Sequence, residues 1–145
     1  MRKTLDDLVR EARAKIERLE PAEAWAAVAH GALIVDTRSD FTLGAIPGSL
    51  RVPLSVLPWR VDPDSASRNP HVGGLDTHLI LICQDGESSS LAAASLRELG
   101  FTRVGDVVGG FAAWGAAGLP VAAPPQSDGL PGMAPPLPAG YGFGG

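Results

Sequence analysis

Leu5, Leu8, Val9, Ala12, Ile16 and Leu19 recur three and four residues apart, the spacing that lines one face of a helix with apolar side chains. Thr4, with Asp7 three residues later, supplies a capping-box start, so the spacing predicts a helix over residues 4 to 19. Pro21 at a first helical position, the run Ala22 to Val28 and a stop at Gly31 predict a second, short helix. Ala32-Leu33-Ile34-Val35-Asp36 is continuously apolar and rich in β-branching, the pattern of a strand buried on both faces. Turn residues from Gly44 to Ser49 lead through a short strand at Leu50–Pro53 into a weak helix near 54 to 60, and a polar loop follows over 61 to 77.

The clearest strand is His78-Leu79-Ile80-Leu81-Ile82-Cys83, followed after a tight loop by a helix from Ser88 to Leu99 that Gly100 closes. Thr102 to Val108 reads as a further strand, and Gly109-Gly110 precedes a short helix through Trp114 that ends near Gly118. Strands alternating with helices predict a doubly wound parallel sheet with helices on both faces. Ala123 to Gly145 holds six prolines and six glycines in twenty-three residues and reads as a flexible tail, in which Tyr141 and Phe143 are candidate docking residues. The expected division is therefore an N-terminal amphipathic helix over 1 to 19, an α/β domain over 20 to 122 and a Pro/Gly-rich tail over 123 to 145.

Composition narrows the function. The chain's 145 residues, 45% of them hydrophobic, suffice for one domain with a buried core. A net charge of -4 offers no general attraction to a polyanion, which argues against nucleic acid as a partner. Residues 1 to 20 carry six of the twelve Lys and Arg, so the remainder is the acidic part. The start, Met1-Arg2-Lys3, is not followed by an uninterrupted apolar run, and no segment approaches the length of a membrane helix. A cytoplasmic protein with no membrane partner is expected. His30, His71 and His78 are scattered and lack companion ligands, so neither a metal nor a cofactor is expected.

One cysteine, Cys83, forms no internal disulfide and is either packed or reactive. It ends a strand where ligands gather in open α/β sheets. The loop Gln84-Asp85-Gly86-Glu87-Ser88-Ser89 turns backbone N–H groups and a helix N-terminus toward it, an arrangement that favours an anion such as a thiolate. Gly86 permits a backbone conformation that other residues resist. A packed small hydrophobe and a nucleophile both fit these residues.

Four pieces in order decide the family that the chain resembles: Leu33 to Arg38, Ile46-Pro47-Gly48-Ser49, the Cys83 to Ser89 loop, and Gly109-Gly110-Phe111-Ala112-Ala113-Trp114 with Gly118-Leu119-Pro120-Val121. Over about residues 20 to 122 they resemble the single-domain rhodanese-like sulfurtransferases. The resemblance implies a five-stranded parallel sheet flanked by helices and a cysteine at the base of a cradle-shaped loop. It also implies that Cys83 accepts a sulfane sulfur as a persulfide from a small donor, thiosulfate or a low-molecular-weight persulfide. Cyanide or a thiol, including a protein thiol, then takes the sulfur. Gln84, Asp85, Gly86, Glu87, Ser88 and Ser89 become the expected substrate-binding loop.

The chain departs from that pattern in ways that bear on the donor. Active members often carry an arginine where this chain has Ser88, and Asp85 and Glu87 add negative charge, so thiosulfate is expected to bind poorly. Arg60 and Arg38 are the candidate compensating cations, against local structural pairing for each; Asp36 is expected to anchor its following loop, and Trp25 and Trp114 to lie in the core. Two other functions compete. A phosphatase or arsenate reductase on this kind of fold needs an arginine six residues after the cysteine, where this chain has Ser89. A non-catalytic docking module would show an exposed apolar stripe on the N-terminal helix rather than packing of that helix onto the domain.

Overall fold

The computed structural model describes residues 1–123; the Pro/Gly-rich segment beyond, with Tyr141 and Phe143, lies outside the described residues. Five strands form one parallel sheet: β1 (Glu17–Leu19), β2 (Leu33–Asp36), β3 (Leu50–Arg51), β4 (Leu79–Ile82) and β5 (Val104–Val107), in the order β1-β5-β4-β2-β3. The helices are α1 (Leu5–Arg13), α2 (Pro21–Val28), α3 (Leu57–Val61, after a 3-10 turn at Leu54–Val56), α4 (Ser88–Leu99) and α5 (Gly110–Ala116). This is the five-stranded parallel sheet flanked by helices that was expected.

The continuous apolar runs explain the layering. Along β2 and β4, Val35, Leu79 and Leu81 enter one core with Ala93, Leu96 and Phe101, while Ile34, Ile80 and Ile82 enter the other with Ala24, Phe111 and Trp114. Successive residues of a strand point to opposite faces, so only a strand covered on both sides has every position apolar. Trp114 is fully buried, stacks edge-on against Trp25 at 5.7 Å and donates from Nε1 to the Pro120 carbonyl at 2.9 Å. Among the described residues no helix is long and apolar enough to cross a membrane.

The N-terminal helix is shorter than the spacing predicts. Its capping box forms as expected between Thr4 and Asp7, and these bonds, with that from Arg10, hold the Asp7 carboxyl down at about 2. Yet α1 ends at Arg13, and Glu17–Leu19 form an edge strand paired with β5. Ile16 packs against one core and Leu19 lies in the other, which a single helical stripe could not do. The unpaired edge of β5 gives those residues hydrogen-bond partners that only an extended segment satisfies. The helix that remains packs on α4, with Ala12 buried and Leu5 and Leu8 exposed.

The close approach of β1 depends on Gly105, where an added Cβ would stand 2.5 Å from the Glu17 carbonyl oxygen. Gly105→Val is expected to push β1 off the sheet and to lower unfolding free energy by about 1–3 kcal/mol. Urea denaturation measures this, and an unchanged midpoint would show that β1 is not held by this contact.

Candidate active site

Cys83 follows β4 directly and is 5% exposed, at the base of the loop that leads into α4. Its sulfur accepts N–H bonds from Gly86 at 3.1 Å and Ser89 at 3.4 Å, and its S–H donates to Ser89 Oγ at 3.3 Å. The loop closes this tightly because Gly86 adopts φ +89°, a left-handed conformation that suits glycine. Burial pushes the thiol up. Hydrogen bonds from the Ser89 and Ser88 hydroxyls and from the Ser89 and Gly86 N–H groups outweigh it, and the thiol lies below its ordinary value. The lowered pKa enlarges the thiolate fraction, and the thiolate is the nucleophilic form of a cysteine.

The first turn of α5 grips the loop from one side. Phe111 N donates to the Cys83 carbonyl at 2.8 Å and Ala112 N to the Gln84 carbonyl at 3.0 Å. Gly110, at φ +63°, makes that grip possible: a Cβ there would stand 2.5 Å from the Cys83 carbonyl oxygen and 2.7 Å from Gly86 N. The Gly109-Gly110 pair is therefore a docking surface for the cysteine loop.

On the other side stand residues that the sequence reading did not single out. Asp106 of β5 is fully buried, and its carboxylate accepts from the hydroxyls of Ser89 at 2.8 Å and Ser90 at 2.7 Å. Arg18 of β1 binds the same carboxylate through Nε at 2.9 Å and Nη2 at 3.3 Å. Arg18 Nη2 also donates to the Gly86 carbonyl at 3.2 Å, and Arg13 of α1 donates to that carbonyl at 3.1 Å and to Ser90 Oγ at 3.1 Å. The one signal for these residues was the concentration of cations in the first twenty residues, which does not say what they touch.

The expected loop residues divide into two sets. Gly86 and Ser89 are buried against the sulfur, whereas Gln84, Asp85, Glu87 and Ser88 are exposed. Arg38 lies in a different arrangement: its side chain is buried, binds both oxygens of Asp36 at 2.8–3.2 Å, donates to the Gly44 carbonyl at 2.9 Å and stacks on the Phe111 ring at 3.6 Å. Asp36 anchors its following loop as expected, also accepting from Arg38 N at 3.1 Å. Arg60 is buried, not at the surface, and donates to the Ser67 carbonyl at 3.1 Å. His78 pairs with Glu17 at 2.8 Å, and among the described residues no cluster of His, Cys, Asp or Glu could hold a metal ion.

The sequence model of the rhodanese-like domain matches residues 20–117, and the chain belongs to this family. It is 32% identical over 94 residues to a sulfurtransferase of Allochromatium vinosum, covering 63% of this chain and 79% of that protein. Over 118 residues it is 33% identical to the chloroplastic thiosulfate sulfurtransferase 16 of Arabidopsis thaliana, covering 71% of this chain and 94% of that one. Among solved structures, a Rhodopseudomonas palustris protein of unknown function, described as a possible tyrosine phosphatase, superposes with a TM-score of 0.73 at 32% identity. The match covers 83% of this chain and 96% of that one.

Ser89→Ala removes a hydroxyl that lowers the Cys83 pKa. The pH midpoint of Cys83 alkylation by iodoacetamide is expected to rise, slowing the reaction at pH 7 by about fivefold. An unmoved midpoint would show that the Ser88 hydroxyl and the backbone N–H groups hold the thiolate without the Ser89 hydroxyl.

Proposed function

We propose that this chain is a sulfurtransferase in which Cys83 carries the sulfur as a persulfide. The observation that carries the reading is the Cys83 sulfur itself, held by loop N–H and hydroxyl groups with its pKa lowered. The thiolate attacks the outer sulfur of the donor. A bond forms between that sulfur and Sγ, the donor's own sulfur–sulfur bond breaks, and its electron pair leaves with sulfite from thiosulfate or with a thiolate from a small persulfide. Cyanide or a thiol then takes the terminal sulfur and returns Cys83 as thiolate. The anion-favouring loop suits the bound persulfide, which is negatively charged like the thiolate.

The donor preference follows from the front of the loop. Asp85 and Glu87 are exposed there, and thiosulfate is a dianion that meets like charge on approach. A persulfide whose net negative charge is smaller than that of thiosulfate is the favoured donor. A phosphatase reading, prompted by the description of the Rhodopseudomonas palustris protein, lacks its oxyanion-gripping arginine: the matching residue is Ser89, buried and bonded to Asp106. The packing of α1 on α4 counts against a purely docking role for that helix, while its exposed Leu5 and Leu8 leave it a surface for a partner.

Intact-protein mass spectrometry tests the reading after incubation with thiosulfate and, separately, with a low-molecular-weight persulfide. The wild type is expected to gain one sulfur atom, faster from the persulfide, to lose it to cyanide, and to gain none as Cys83→Ser. No sulfur from either donor would sink the transferase reading.

A further inference from the structure

Arg13 and Arg18 reach the back of the cysteine loop from α1 and β1, elements outside the residues 20–117 that the family model matches. Both donate to one atom, the Gly86 carbonyl oxygen, at 3.1 and 3.2 Å. Arg18 also binds Asp106, the acceptor of the Ser89 hydroxyl, and Arg13 binds Ser90 Oγ, which donates to the same carboxylate. The hydroxyl of Ser89 thus lies between two competing acceptors. It donates to Asp106 while Cys83 is a thiol, and a thiolate needs the same hydrogen. Asp106 gives it up at low cost only because Ser90 and Arg18 still satisfy and neutralise the carboxylate.

We propose that the N-terminal segment is a working part of the sulfur site: Arg13 and Arg18 supply, from behind the loop, the positive charge that its own sequence lacks, and Arg18 cancels Asp106 so that Ser89 serves the Cys83 sulfur. They act as positioning residues, and the proposal rests on the sulfur-transfer reading. The charged groups around the cradle are Arg13 from α1, Arg18 from β1, Asp106 from β5, the exposed Asp85 and Glu87 of the loop, and the neutral Asp36–Arg38 pair at the end of β2. Arg13, Arg18 and Asp106 together carry one net positive charge. They lie less exposed than Asp85 and Glu87, whose charges water screens more fully.

The test is the pH profile of Cys83 alkylation in the full chain, with thermal melts to confirm folding. Arg18→Met leaves Asp106 as an uncancelled anion one hydroxyl from the sulfur; its midpoint is expected to rise, with alkylation at pH 7 about tenfold slower. Asp106→Asn leaves Arg18 unopposed and is expected to move the midpoint the other way, while the double variant returns near the wild type. Arg13→Met is expected to follow Arg18→Met with a smaller, about threefold, slowing. It also stands in for Arg18→Met should that variant fail to fold. Shifts of opposite sign for the arginine and aspartate variants support the proposal, since a merely structural loosening would move all of them the same way. Unmoved midpoints in folded variants, or shifts of one sign, overturn it. Alkylation reads thiol ionisation whether or not sulfur is transferred, so failure of the wild type to load sulfur would count against the transferase reading separately.

Discussion

Asp106 is a carboxylate on β5, the strand next to the sheet's β1 edge, with no exposure to water, and it persists there because donors surround it. Those donors come from the start of α4 and from β1, so satisfying one buried charge ties together the strand that ends the sheet, the helix that follows the cysteine and the loop between them. Breaking such a pair by removing one partner typically costs about 3–5 kcal/mol, because the charge left behind has no solvent to turn to. The hydroxyls of Ser89 and Ser90 are held by the same demand, and the Ser89 hydroxyl stands beside the sulfur. Electrostatic necessity in the core thus becomes orientation at the surface of the loop.

The loop is pinned from two directions that differ in chemistry. On the α5 side the grip is backbone on backbone, and it requires glycine because there is no room for a Cβ between the two segments. On the N-terminal side the grip is two guanidinium groups on a carbonyl oxygen. A segment with its chain fixed at both flanks loses little entropy when the sulfur beneath it ionises, which is what a preorganised anion site requires.

Much of this was legible in the sequence because it was local. The apolar run Leu79–Ile82, the polar loop and the serine-rich helix start are contiguous, and a strand–loop–helix unit reads directly from such a sequence. The paired glycines before Phe111 were visible too, although their reason, close approach to the Cys83 carbonyl, was not. Periodicity misled at Ile16 and Leu19, whose helical spacing survives in a turn and a strand that send them to opposite cores. The concentration of cations near the start did not place Arg13 and Arg18, because their bonds join residues 68 to 88 positions apart, and no pattern in a single sequence records that separation. Arg38 and Arg60, the cations expected to compensate, both lie within residues 20 to 122. The structure ties Arg38 to Asp36 and buries Arg60 against the Ser67 carbonyl.

Peptide planarity gives the carbonyl contacts a second meaning. In a trans peptide the C=O and the following N–H point in opposite directions, so whatever fixes an oxygen also aims a hydrogen. The Cys83 and Gln84 carbonyls are held by α5, and the Gly86 carbonyl by Arg13 and Arg18. The N–H vectors of Gln84, Asp85 and Glu87 are thereby set, each turned away from the group that holds its neighbour's oxygen. The acidic side chains of this loop and its backbone hydrogens are consequently separate instruments: evolution is free to change the charge at positions 85 and 87 without disturbing the direction in which those two residues present their amides.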